Sequence, residues 1–260
     1  MKEAIKNLFA LDNKVAIVTG GNRGIGKGIA RGLAGAGANI VIGARDDAKI
    51  ASAVREIKEE FGVQVLGVKA DVRQEEQIIT MVKRALDAFG RIDILVSNAG
   101  MAIRKFPEEM STAEWDANIE INLRSFFICS TAVYPVMKKM GGGKIISLGS
   151  MFVIFGAADL PAYASSKGGI VQLTRSLAVA WAKDNIQVNC ILPGWINTDL
   201  SAPRKRDTPG FAERIVARTP AGRWGEPEDL AGTAVFLASR ASDYLTGVAI
   251  PVDGGFSVKI

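Results

Sequence analysis

Residues 14–26 read KVAIVTGGNRGIG. The first six are a short, β-branched, continuously apolar run, the pattern of a strand buried on both faces. Helical spacing begins at Ile25 and runs to Gly35. Between them stands the turn Thr19-Gly20-Gly21-Asn22-Arg23-Gly24-Ile25-Gly26, spaced Gly-x-x-x-Gly-x-Gly. Gly20 permits a tight turn, Gly24 lets backbone approach a pyrophosphate, and Gly26 lets the helix lie close to the strand. The helix N-terminus then offers unpaired N–H groups and a positive dipole to phosphate. Its place, after the first buried strand and before the first helix, favours a dinucleotide site over a plain strand-to-helix turn.

The alternation continues outward from that turn. Strands are predicted at 38–44, 64–70, 92–97, 144–148, 186–192 and 247–252. Helices are predicted at 46–61, 74–89, 162–183 and 227–238, with a helix-rich stretch at 112–140. Strands alternating with helices imply right-handed crossovers and a parallel sheet covered on both faces. The expected fold is therefore α/β, a doubly wound, parallel, seven-stranded sheet in a single domain spanning 1–260. One long irregular segment, 195–225, interrupts the pattern. A connection of that length in a compact domain is usually functional, here a lid over a substrate site.

Composition narrows the chemistry. Apolar residues make up 48% and charged residues 23% of 260, an ordinary soluble mix that can bury one core. The net charge of +5 is modest and dispersed, apart from Arg204-Lys205-Arg206, so no nucleic-acid stripe is expected, although a slightly cationic site for an anionic ligand is compatible. Histidine is absent, which removes imidazole acid–base chemistry and His-based zinc sites, and no spacing suggests any other metal site. Cys129 and Cys190 lie in apolar runs and read as buried free thiols in a reducing compartment. The N-terminal stretch is too short and charged for a signal peptide, and no apolar run is long enough to cross a membrane. A cytoplasmic location is the expectation.

A reaction centre is offered by SLGSMFVIFGAADLPAYASSK, residues 147–167. Ser150 follows the fifth strand, and on a helix Tyr163 and Lys167 share one face. A phenol ionises near pH ~10 and is a poor base at neutrality. A fixed ammonium beside it lowers that pKa, so Tyr163 could pass a proton to or from a carbinol oxygen that Ser150 holds. The alternative is a half-buried tyrosine beside a solvated lysine.

These features together resemble the short-chain dehydrogenase/reductase family over 11–255. The motifs are the glycine-rich turn, Asp71-Val72 after the third strand, Ser97-Asn98-Ala99-Gly100 after the fourth, Asn122 in IEINL, Ser150 with Tyr163 and Lys167, and Pro193-Gly194-Trp195-Ile196-Asn197-Thr198 after the sixth. Ser97 departs from the pattern, since the family more often has a second asparagine there. The resemblance implies a Rossmann-type fold and reversible hydride transfer between NAD(P) and a carbonyl or secondary alcohol. It implies Tyr163 as acid/base, Lys167 lowering its pKa and bonding the nicotinamide ribose, and Ser150 polarising the carbonyl. Asn122 would fix a water linking Lys167 to solvent, or else simply bond backbone. Cofactor contacts are expected from Gly20, Asn22, Arg23, Gly24, Ile25, Gly26, Arg45, Asp71, Val72, Asn98, Ala99, Gly100, Tyr163, Lys167, Pro193, Gly194, Ile196 and Thr198. Asp71 would accept from the adenine amino group, and the same side chain could cap the helix beginning near Gln74. Substrate contacts are expected from Ser150, Phe152, Tyr163 and Trp195.

Three substrate classes compete. The 218–253 stretch and LPGWINT resemble sugar-acid or glucose-type dehydrogenases. A 3-oxoacyl-carrier-protein reductase is an alternative, but such enzymes usually carry arginine where this chain has Ala178-Val179-Ala180-Trp181. A small ketone suits the apolar candidates Met101, Met151, Phe152, Phe155 and Trp195. A non-catalytic dinucleotide sensor is the reading from another class. The second strand ends before Arg45 rather than a carboxylate, and Arg23 lies in the turn, which favours the 2′-phosphate of NADP over NAD. Asp46 argues the other way but reads better as a helix N-cap. The family also implies a homotetramer, packed through helices carrying Phe126, Phe127, Val171 and Trp181.

Overall fold

The computed structural model describes residues 2–259. Seven parallel strands form one sheet in the order β3-β2-β1-β4-β5-β6-β7. They are β1 (Val15–Thr19), β2 (Asn39–Ala44), β3 (Val65–Lys69), β4 (Ile94–Ser97), β5 (Gly143–Leu148), β6 (Ile186–Pro193) and β7 (Ala249–Val252). Sheet growth reverses at β1, which pairs with β2 on one side and β4 on the other. A crevice opens at the carboxyl ends of strands at such a reversal, and the glycine-rich turn stands there.

Period-two alternation sends side chains to two separate cores. From β1, Val15 and Ile17 enter the core built with α4 (Glu75–Phe89), α6 (Ser125–Lys139) and α7 (Pro161–Trp181). Ala16 and Val18 enter the other, with α2 (Gly24–Gly35), α3 (Asp47–Phe61) and α10 (Ala231–Ala238). Both faces of the sheet are thus covered, which is why its strands carry no polar alternation.

Four features depart from expectation. Helix α1 (Lys2–Phe9) precedes the sheet and buries none of its residues, with Phe9 resting 6.5 Å from the ring of Phe236. The helix-rich stretch divides into α5 (Thr112–Ile119), a π-helical turn at Glu120–Arg124, and α6. The segment 195–225 is not irregular. It holds α8 (Ala202–Asp207) and α9 (Phe211–Arg218), short helices masked in the sequence by Pro203 in the first turn of α8 and by Pro209 and Gly210 between the two. Finally, Phe126 and Val171 are buried in the chain's own core, so they add nothing to an outer surface, whereas Phe127 is 49% exposed. Among the described residues no helix is long and apolar enough to cross a membrane.

Candidate active site

The strand ends open into a cleft of about 960 Å³. Its dinucleotide end is built by the turn after β1. Gly20 and Gly24 take φ of +66° and +50°, which β-carbon-bearing residues rarely adopt. Gly26 does not line the cleft. A Cβ there would stand 2.3 Å from the Gly20 carbonyl, so its glycine lets the turn fold back on α2. Arg23, the N-cap of α2, makes no side-chain capping bond, so the first-turn N–H groups stay available to phosphate. Asn98, just past β4, braces this turn by donating through Nδ2 to the Thr19 carbonyl at 2.9 Å. Thr19 Oγ1 in turn accepts from the backbone N–H groups of Asn98 (3.0 Å) and Ala99 (3.1 Å). These features fit a pyrophosphate-bearing dinucleotide.

At the adenosine side, Arg45 follows β2 at the cleft wall and is exposed. Asp46 is indeed the N-cap of α3, accepting from Lys49 N at 3.1 Å, which holds its carboxylate in the helix start. Asp71 is not the cap of α4. Gln74 takes that position, and Asp71 instead binds Arg73 through both its backbone N–H (3.0 Å) and its guanidinium (Nη2, 2.5 Å). The Arg73 guanidinium consequently holds the Asp71 carboxyl below its usual range. Arg23 is tied to Asp199 at 3.0 Å, so the two expected phosphate-gripping arginines are not equally free.

The reactive centre lies where β5 and α7 meet. Ser150 is buried on the cleft wall in extended backbone, its Oγ accepting from Phe152 N at 3.3 Å. Lys167 Nζ donates to the Leu148 carbonyl at 2.7 Å and stands 5.5 Å from the Tyr163 ring centroid. Burial brings the lysine pKa down to about 8. Burial also pushes the Tyr163 phenol above its ordinary value, against a downward pull from the Ser150 hydroxyl and the Arg104 guanidinium. The expected lowering by Lys167 is not among the influences on the phenol here, where burial outweighs the pull of Ser150 and Arg104. Asn122 lies outside the cleft lining. Its Oδ1 accepts from Met101 N, its Nδ2 donates to Met101 O and Ser166 Oγ, all at 3.0 Å, and Ser166 Oγ donates to the Tyr163 carbonyl at 2.7 Å. The backbone-bonding alternative describes this side chain, which clamps α7 to the loop after β4. The π turn is what inserts it there.

The remaining expected residues, Asn22, Ile25, Val72, Ala99, Gly100, Pro193, Gly194, Ile196 and Thr198, line the same cleft. Gly194 is forced by a close approach, since a Cβ would meet Asp253 Cα at 2.6 Å. The substrate end has aromatic walls. Phe152 lies edge-on to Tyr163 (6.1 Å) and to Trp195 (5.9 Å), and Trp195 leads on to Phe256 (6.4 Å). Met101, Met151 and Phe155 complete this wall.

Sequence reasoning missed three groups here. Arg104 and Arg218 line the cleft, and Asp159 binds both Arg104 (3.1 Å) and Arg204. The basic run 204–206 does not act as a unit. Arg204 goes to Asp159, Lys205 to Asn197, and Arg206 to Asp207. The Arg206–Asp207 pair is between neighbours, whereas nothing local in the sequence marks the meeting of Arg204 and Arg104 with Asp159, which joins segments far apart along the chain.

Comparison with known proteins agrees with this geometry. A family model described as enoyl-(acyl carrier protein) reductase matches residues 20–257. The 2-dehydro-3-deoxy-D-gluconate 5-dehydrogenase of Escherichia coli K12 is 42% identical over 258 residues, covering 98% of this chain and 100% of that protein. A putative gluconate dehydrogenase structure from Agrobacterium tumefaciens superposes with a TM-score of 0.93 at 42% identity, covering 97% of this chain and 99% of the other. A gluconate 5-dehydrogenase from Burkholderia cenocepacia, solved with NADP and tartrate, superposes with a TM-score of 0.93 at 37% identity over 98% and 100%. Glycine-rich turn, Ser-Tyr-Lys centre and full-length relatives converge: the chain belongs to the short-chain dehydrogenase/reductase family and is an NAD(P)-dependent oxidoreductase acting on CH–OH groups.

Proposed function

We propose that the chain interconverts a sugar acid and its keto form with NADP, using Tyr163 as the acid/base. The observation that carries this is one cleft holding the glycine-rich turn at one end, Ser150, Tyr163 and Lys167 at its centre, and two arginines at the substrate end. When bound, the nicotinamide supplies or accepts the hydride. Ser150 then holds the substrate oxygen, and Tyr163 gives it a proton. Burial keeps that phenol protonated at neutral pH, which suits carbonyl reduction. Alcohol oxidation needs the phenolate and gains as pH rises. Lys167, fixed at Leu148 beside the Tyr163 ring, lines the same cleft and would hold the nicotinamide ribose. The Asn122–Ser166 clamp sets the position of α7. Several relatives are named for sugar acids, which supports an acidic substrate over a neutral ketone.

The test is reduction of 5-oxo-D-gluconate and of 2-dehydro-3-deoxy-D-gluconate's keto product, followed by loss of NADPH absorbance. Tyr163→Phe keeps the ring's packing and should lower kcat at least ~100-fold, within the span of general acid catalysis, with NADPH binding retained. Near-normal turnover in that variant would remove Tyr163 from the mechanism.

NADP is favoured because Arg45 stands at the cleft wall without an ion-pair partner among the described residues, while Asp46 is committed to α3. Lys49, in the first turn of α3, adds a second cation at that wall. Arg45→Ala should weaken NADP by roughly tenfold or more, the worth of a charge-assisted bond, and NAD little. A wild-type kcat/KM higher with NAD would reverse the choice. Two buried free thiols fit the reducing cytoplasm we propose as its location.

A further inference from the structure

We propose that Arg218 is the residue that reads the substrate's carboxylate, and that the reacting carbonyl stands several carbons from it. This rests on the sugar-acid reading above. Four observations single the residue out.

First, Arg218 belongs to the last turn of α9 and lines the cleft, unlike Arg204, Lys205 and Arg206. Second, its guanidinium carbon stands 4.4 Å from the Phe256 ring centroid and 5.0 Å from that of Phe155. Two ring faces hold the planar group in place, so less rotamer entropy is lost when it grips an anion. Third, among the described residues Arg218 has no carboxylate partner and donates no hydrogen bond. Of the other cleft arginines, Arg23 is engaged by Asp199 and Arg104 by Asp159, while Arg45, also without an ion-pair partner among the described residues, follows β2 beside the dinucleotide turn and not the aromatic wall. A guanidinium free of a counter-ion is the one that gains most from a bidentate carboxylate. Fourth, the wall between Arg218 and the reactive centre is aromatic. Tyr163, Phe152, Trp195 and Phe256 follow one another at centroid spacings of 6.1, 5.9 and 6.4 Å. Arg218 packs on Phe256, the last ring of this run counted from Tyr163. On this proposal, an acid whose carbonyl adjoins its carboxylate does not span the two groups. An acid with its carbonyl at the other end of the carbon chain does.

The experiment compares 5-oxo-D-gluconate, its neutral amide and 2-oxo-D-gluconate, with NADPH, in the wild-type chain, Arg218→Met, Arg218→Lys and Arg104→Met. The wild type should favour the 5-oxo acid over its amide by about 10- to 100-fold in kcat/KM, the usual worth of a charge-assisted hydrogen bond. Arg218→Met should remove that preference through KM, leave the amide within about twofold, and leave NADPH binding unchanged. Arg218→Lys should restore part of it. The 2-oxo acid should gain little from Arg218. If Arg218→Met keeps the acid-over-amide preference, or if Arg104→Met alone abolishes it, Arg218 is not the carboxylate reader, while reduction of the amide still upholds the oxidoreductase reading. If the wild type reduces neither 5-oxo compound, both the sugar-acid reading and this assignment fall.

Discussion

Lys167 carries two opposed demands. It is only 5% exposed, and its ammonium has one hydrogen bond, to the Leu148 carbonyl. Burial lowers its pKa from 10.5 to about 8. Above about pH 10.5 neither state is charged, and below about 8 both are, so the folded state then bears the full cost of a buried cation. Between these values the unfolded chain holds more protons, and stability rises with pH. Lys167→Met keeps most of the volume and deletes the charge. Its melting temperature relative to wild type should be most favourable below pH 8 and should decline between pH 8 and 10.5. A difference independent of pH would show that the lysine is not strained by burial. The native chain retains this cost at its reactive centre, where a perturbed group is commonly functional. The Tyr163–Lys167 pair was legible because helical spacing of four residues is local geometry. Arg218 and Asp159 were not, because their partners come from other parts of the chain, and spacing along the sequence says nothing of such meetings.

Among the elements, the strands were easiest to read and the 195–225 segment hardest. Buried parallel strands announce themselves as apolar runs, and all seven were found within a few residues. The segment's helices are six and eight residues long, too short for periodicity to stand out against the surrounding prolines and charges. Its ends meet: Gly225 N donates to Trp195 O and Asn197 N donates to Gly225 O, both at 2.8 Å. A long excursion closed at its base can move as a flap, and we propose that this one closes over bound substrate. The far side is latched by Arg204 of α8, which shares Asp159 with Arg104. Asp159→Asn deletes that charge and should free the flap. Amide exchange in α8 and α9 should quicken about tenfold, the worth of one charged hydrogen bond at a partly buried site, and substrate KM should rise. Unchanged exchange in both helices would assign the latch elsewhere.

At the scale of the whole molecule, the question is what covers the outer faces of α6 and α7. The sequence offered Phe126, Phe127, Val171 and Trp181 as surplus apolar surface. The fold uses most of it internally, since Phe126 and Val171 are in the core and Trp181 stacks on Tyr134 at 4.7 Å. What stays outside is Phe127, at 49% exposure, and Val179, at 83%, one on each helix. A second unpaired surface lies at β7, one of the sheet's two edge strands, which among the described residues has no partner strand on its outer side. Tyr244 and Val258, both on the C-terminal side of the chain, are also exposed. An open strand edge and apolar helix faces are the features that closed symmetric assemblies cover. Two distinct surfaces, each joining the chain to its own copy across a two-fold axis, generate four subunits rather than two. We therefore propose a homotetramer, with one contact through α6 and α7 and the other through the C-terminal edge. Light scattering at micromolar concentration should give four times 27.6 kDa. Replacing Phe127 and Val179 together by glutamate places like charges on both sides of the helix contact. That variant should fall to dimers held by the C-terminal edge, with its far-ultraviolet circular dichroism unchanged. A monomer mass for the wild type would overturn the assembly, and a tetrameric double variant would move the first contact off these helices.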